Sequence, residues 1–142
     1  MLALGMQMDK NIPDRNKSPH GWWVATIIER FQFDDEDLDN KRRRCRAFTN
    51  VVILKANDRE SAYQKAIEYG NSGVENKSDW SNGKERKGRW IFEGLSSLIP
   101  IYDELDPDGT EILFDDDKDV TVGRVESWVR EKGELEAFDD TE

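Results

Sequence analysis

The longest patterned apolar stretch is WWVATIIERFQF, residues 22–33, whose β-branched and aromatic content suits a strand. Alternation puts Trp23, Ala25, Ile27, Glu29 and Phe31 on one face and Trp22, Val24, Thr26, Ile28 and Arg30 on the other. Both faces stay apolar until Glu29–Arg30, which predicts a central strand covered on both sides at its start. After the loop-like DDEDLDN, a second strand is expected to begin within KRRRCRAF and to run through TNVVILKA. Its apolar run Val51–Leu54 predicts burial, with Arg42, Arg44 and Arg46 alternating onto one face and reaching water at the sheet rim.

The period then changes. Asn57 or Asp58 supplies a cap oxygen, and Ala62, Tyr63, Ala66 and Ile67 recur at helical intervals, predicting a helix over residues 59–69 closed by Gly70. Asn82–Gly83 in WSNGKERKGRWIFEGL tolerates positive φ and predicts a hairpin turn, with strands before Ser81 and after Lys84. Trp90 and Phe92 share a face there, and Gly94 leaves room for a bulge or a close crossing. Pro100 in SLIPIYDEL favours an edge or bent position for that segment, read as a short edge strand, because proline donates no ladder hydrogen bond. Residues 106–109 (DPDG) predict a turn into a further strand, TEILF. Val122, Val125, Trp128 and Val129 form an apolar stripe that predicts a short amphipathic helix stopping at Gly133 and covering a sheet edge or part of the second face.

These elements define an α+β class: a mostly antiparallel sheet, one central packed helix and a C-terminal amphipathic helix. Residues 1–20 read as a flexible leader, 21–133 as a single domain and 134–142 as an acidic tail. The size suffices for a core without disulfide or metal. Cys45, the only cysteine, excludes an intrachain disulfide and a multi-cysteine zinc site, and suits a reducing cytosol. No apolar run reaches the roughly 20 residues that span a bilayer. MLALGMQMDK lacks the features of a secretory signal, so a cytoplasmic protein without membrane contact is expected.

The net charge of −10 is unevenly spread. Residues 1–102 hold 17 basic and 15 acidic side chains, whereas residues 103–142 hold 4 and 16. That gradient predicts a bipolar surface and disfavours nucleic acid for the whole molecule.

Reactive chemistry finds little support. His20 is the sole histidine, between Pro19 and Gly21, and no triad can be built on it. Cys45 lies among arginines, which favour a thiolate, but its position beside Ala47 and Thr49 predicts an ordinary packed cysteine. Glu29 and Glu93 are the only carboxylates in strongly apolar patterns, and nearby Arg30 and Arg89 predict paired or rim positions. Glu104, Asp106, Asp108, Gly109 and Asp115 imitate a calcium loop, yet Glu stands at its first position, Glu111 at its eighth, and no Glu at its twelfth. No glycine-rich phosphate loop is present, so neither a cofactor nor a metal is expected.

Two charged territories remain. Asp34, Asp35, Glu36, Asp37 and Asp39, with Asp115, Asp116, Asp117 and Asp119, are candidates for attracting a basic protein. Arg42, Arg44, Arg46, Arg86 and Arg89, with Trp80 or Trp90, are candidates for an acidic protein or for nucleic acid.

The ordered combination of WWVATIIERF, VVILKANDRESAYQKAIEYG, GRWIFEGLSSLIPIYDEL and DGTEI resembles the uncharacterised bacterial domain-of-unknown-function family numbered 4288, over roughly residues 21–114. The resemblance implies a small bacterial α+β domain and no established activity. The arginine string and the Val122–Val129 helix lie outside the resembling pattern. The expected function is a non-enzymatic protein-binding or accessory role, in its specific form an immunity-type inhibitor of a basic partner. An RNA-contacting domain using the arginine cluster and a hydrolase using Glu29 or Glu93 are the alternatives, and the oligomeric state is left open.

Overall fold

The computed structural model describes residues 11–74, 76–81 and 84–141, with residues 76–81 and Lys84 described by backbone alone. Strands β1 (Trp22–Phe33), β2 (Ala47–Lys55), β3 (Asn76–Ser81) and β4 (Lys84–Pro100) form one antiparallel sheet in the order β2-β1-β4-β3. Helix α1 (Arg59–Ser72) follows β2, and helix α2 (Val122–Trp128) lies far along the chain. The predicted turn at Asn82–Gly83 falls outside the described residues.

β1 is central, as its two apolar faces require. Trp23, Val24, Ala25, Ile27 and Phe31 are buried. Cross-strand partners show which side chains share a face: Trp23 opposes Leu54 and Pro100, Ala25 opposes Val52 and Leu98, and Glu29 opposes Phe48 and Phe92. This is the helix face. Ala62 of α1 joins Trp23, Ala56, Leu54 and Leu98 in the core, and the Trp23 indole N–H donates to the Ala56 carbonyl at 3.0 Å. A buried indole donor is thereby satisfied.

Asp58 caps α1 by accepting the Ser61 amide at 2.7 Å. The helix does not stop at Gly70; it runs to Ser72, with Gly73 as its right-handed cap. Gly70 is needed for closeness, not for a left-handed turn, because a Cβ there would lie 2.3 Å from the Phe92 ring. Burial of Ala62, Ala66 and Gly70 lets the helix approach the sheet along a small-residue line.

The segment around Pro100 is not a short strand of its own, since β4 is continuous from Lys84 to Pro100, but it does hold an edge position: among the described residues β3 pairs only with residues 84–89. Register shifts opposite Thr26/Ile27 and Ile28/Glu29 accommodate two extra residues, and Gly94 has φ +139°, so the bulge expected there is present. Pro100 is tolerated because it ends the strand.

Other expectations change: Val51 and Ile53, in the run expected to be buried, are about half exposed, and several elements end elsewhere than expected. β2 begins at Ala47, so Arg42, Arg44, Cys45 and Arg46 belong to the preceding loop, and Cys45 is exposed where packing was expected. The turn at residues 106–109 forms, with the Asp106 carboxylate accepting the Asp108 amide at 2.9 Å and the Asp106 carbonyl accepting the Gly109 amide at 3.1 Å. TEILF, however, is not a strand. α2 is amphipathic but every one of its residues is exposed, so it covers neither an edge nor a face as expected. A seven-residue helix leaves too little apolar stripe to hold itself against the sheet.

Residues before β1 are tied to the end of β4. Ser18 Oγ donates to the Ile101 carbonyl at 2.8 Å and accepts the Trp22 amide at 2.8 Å, while the Tyr102 hydroxyl donates to the Arg15 carbonyl. Beside them Leu98, Tyr102, Ile112 and Phe114 help to line a cleft of about 480 Å³.

Candidate functional site

The charged loop between β1 and β2 holds residues 34–39 of the acidic territory and 42–46 of the basic one, and ion pairs within the loop and to β4 join acids to arginines. Glu36 accepts from Arg43 Nε at 3.0 Å, with side chains only 9% and 17% exposed. Arg43 also donates to the carbonyls of Leu38 and Asn40 at 3.2 and 2.9 Å, so one guanidinium gathers three parts of the loop. Asp35 pairs with Arg86 from β4, whose guanidinium lies 3.8 Å from the centre of the Phe33 ring. Asp37 accepts the Asp39 amide, and Asn40 accepts the Arg42 amide, which are local turns fitting these residue types. The loop is therefore not a uniform negative surface.

At its base lies an aromatic group on the helix face. Trp90 meets Phe31 edge-on with centroids 5.3 Å apart and stacks on Phe48 at 4.9 Å; Arg46 stands 5.1 Å over Phe48. Arg46, Arg86 and Trp90 are thus brought to one region, as the nucleic-acid alternative required. Phe31 is fully covered and Phe48 is partly exposed. The stacking surfaces largely face one another, and Asp35 offsets the charge of Arg86. Arg42, Arg44 and Arg89 are exposed. Trp80 is described by its backbone only, paired opposite Glu85.

Glu29 and Glu93, the candidate catalytic carboxylates, are not gathered. Glu93 pairs with Arg30 Nε at 3.1 Å, and half-buried Glu29 reaches toward the end of α1 near Gly73. Neither lines the cleft beside Tyr102 or a smaller one bounded by Trp23, Asn57 and Arg59. Among the described residues no three His, Cys, Asp or Glu side chains form a cluster suited to a metal ion.

The other part of the acidic territory, at residues 115–119, is built differently. From residue 111 to 141 every residue is exposed except half-buried Val120. Asp115, Asp116, Asp117 and Asp119 have no described ion pair. On the same arm α2, capped by Thr121 Oγ1 at 3.2 Å from the Arg124 amide, leaves Val122, Val125 and Trp128 uncovered. Two further short turns, Lys132–Glu134 and Glu136–Phe138, are held by an Arg130–Glu136 ion pair and by Lys132 over the Phe138 ring. The Asp139 carboxyl lies below the usual aspartate range because the Thr141 hydroxyl and then the Thr141 amide donate to it. The sequence pattern revealed the apolar stripe of α2; the self-pairing of the loop required contacts that no spacing displays.

Fold and site together define a small α+β domain with one helix-covered sheet face, a charge-balanced loop and an exposed acidic arm. The chain belongs to the family described as Domain of unknown function (DUF4288), whose family model matches residues 22–114. The matched span contains the arginine string, correcting the expectation that it lay outside, and stops short of α2. No curated protein matches the chain, and no solved structure matches it. No helix among the described residues is long and apolar enough to cross a membrane.

Proposed function

We propose that this chain is a non-catalytic protein-binding or accessory protein that meets a basic partner through its acidic arm, in its specific form an immunity-type inhibitor acting in the bacterial cytoplasm. The observation that carries this reading is the exposure of residues 111–141 apart from Val120: Asp115, Asp116, Asp117 and Asp119, without an ion pair among the described residues, share one arm with uncovered Val122, Val125 and Trp128. Such a surface steers a basic partner by charge and then offers apolar area for the bound state. The β1–β2 loop contributes less than its composition suggests, because Arg43 and Arg86 neutralise Glu36 and Asp35.

The experiment is affinity capture from the native cells at low and high salt, comparing the intact chain with a variant carrying Asp115→Asn, Asp116→Asn, Asp117→Asn and Asp119→Asn. A basic protein retained at low salt and lost with the variant is the expected result. Equal capture by both chains would refute the assignment to the arm. A second reading is favoured by the grouping of Arg46, Phe48, Arg86 and Trp90: contact with RNA. It expects nucleic acid to copurify and to be lost in the Arg42, Arg44 and Arg46 neutral variant.

A further inference from the structure

Among the described residues β2 stands at the end of the sheet and has only β1 as a neighbour. Its outward groups can be identified. The Arg46 carbonyl accepts from the Phe31 amide at 2.8 Å, and the Ala56 amide donates to the Gly21 carbonyl at 2.8 Å, so even-numbered residues at both ends turn toward β1. The β1–β2 register is unbroken between them. Alternation therefore turns the amides and carbonyls of Ala47, Thr49, Val51, Ile53 and Lys55 away from the sheet. Lys65 supports this assignment by donating to the Lys55 carbonyl at 2.6 Å, which also closes that end of the edge. Thr49, Val51 and Ile53 stay at its centre.

An exposed edge normally carries charge, proline or a bulge that prevents pairing. In a chain that is 37% charged, AFTNVVILK has one charged residue, Lys55, no proline and no register shift. The same outward residues bear apolar side chains on the face opposite α1: Val51 is 54% exposed and Ile53 48%. Hydrogen-bonding capacity and apolar surface thus coincide on one strip.

We propose that the outer edge of β2 pairs antiparallel with β2 of a second copy, about a two-fold axis at Val51, making one sheet continuous across both chains. In that register Thr49 faces Ile53, Asn50 faces Val52, Phe48 faces Leu54 and Ala47 faces Lys55, so no like charges oppose. The strip is complementary to itself, which is what an isologous interface requires. The near balance of 17 basic and 15 acidic residues over 1–102 leaves little repulsion at this approach, since the excess negative charge belongs to the arm. The pairing does not depend on the arm's proposed role.

Light scattering on the intact chain after size-exclusion chromatography tests it, with circular dichroism as the folding control. The expected mass is twice that of one chain, falling to one chain in Val51→Pro, which removes an outward donor while sparing the bonds to β1. The Asp115–Asp119 neutral variant should keep the doubled mass, so a failure of the arm proposal cannot imitate a failure here. Should Val51→Pro not fold, Cys45→Ser with Val51→Cys should cross-link between chains under mild oxidation, whereas Cys45→Ser with Val125→Cys should not. A monomeric intact chain, a folded Val51→Pro chain of undiminished mass, or equal cross-linking at both positions would overturn the proposal.

Discussion

The sheet-and-helix body and the acidic arm come from one chain with similar kinds of side chain, yet they use them in opposite ways. In the body, the central strand's Trp23 and Phe31 are placed where facing elements shield them, at 2% and 1% exposed. In the arm, Trp128 and Phe138 are each about half exposed, and Val129 is 79% exposed. Hydrophobic composition therefore does not itself produce burial. A strand with neighbours on both sides, paired over most of its length, brings surfaces together; a seven-residue helix between short turns does not.

The contrast can be tested by perturbing each region in turn. Trp23→Ala removes a large buried ring and the bond to Ala56, and should cost about 3–5 kcal/mol in denaturant unfolding. A loss near that of a surface substitution would break the distinction. Gly70→Val should cost about 1–3 kcal/mol because α1 cannot retreat from Phe92 without losing packing; Gly133→Val, where a Cβ meets nothing, should leave the midpoint nearly unchanged. Arg43→Ala should cost about 1–2 kcal/mol, since it frees Glu36 and two loop carbonyls in a partly solvated setting. Hydrogen exchange should quicken across residues 36–43.

The arm predicts much smaller effects. Val129→Lys should alter stability by less than about 0.5 kcal/mol, because its side chain is already in water. Thr141→Val should move the Asp139 carboxyl upward toward the usual aspartate range, read by nuclear magnetic resonance titration. Since the native carboxyl is held low, whatever it contributes is present above the ordinary range and declines as pH falls below it. No change on removing the hydroxyl would show that the amide alone sets its titration.

Local physics made much of the body readable from its residues. The two-sided apolar start of Trp22–Phe33 signalled the central strand, the Asp58 cap signalled α1, and Gly94 marked a bulge. The errors arose where a local rule met a distant surface. Gly70 resembled a helix stop, but Phe92 requires a bare backbone at that point. The arginines before Ala47 alternate like strand residues, but they lie in the loop, where Arg43 turns inward to Glu36. Pro100 looked like an interruption because the strand reaching it could not be distinguished from a new one. The candidate acids were visible as composition, whereas their division into paired loop residues and unpaired arm residues depended on proximity to Arg43 and Arg86.

The position of β1 between β2 and β4 also sets a condition on how fast the molecule folds. β2 follows soon in sequence, but Phe33 must await Gly88 and Trp23 must await Pro100. Closing those long chain segments loses entropy before most of the compensating contacts exist, so the nucleus should begin with β1, β2 and α1, and docking of β4 should limit the rate.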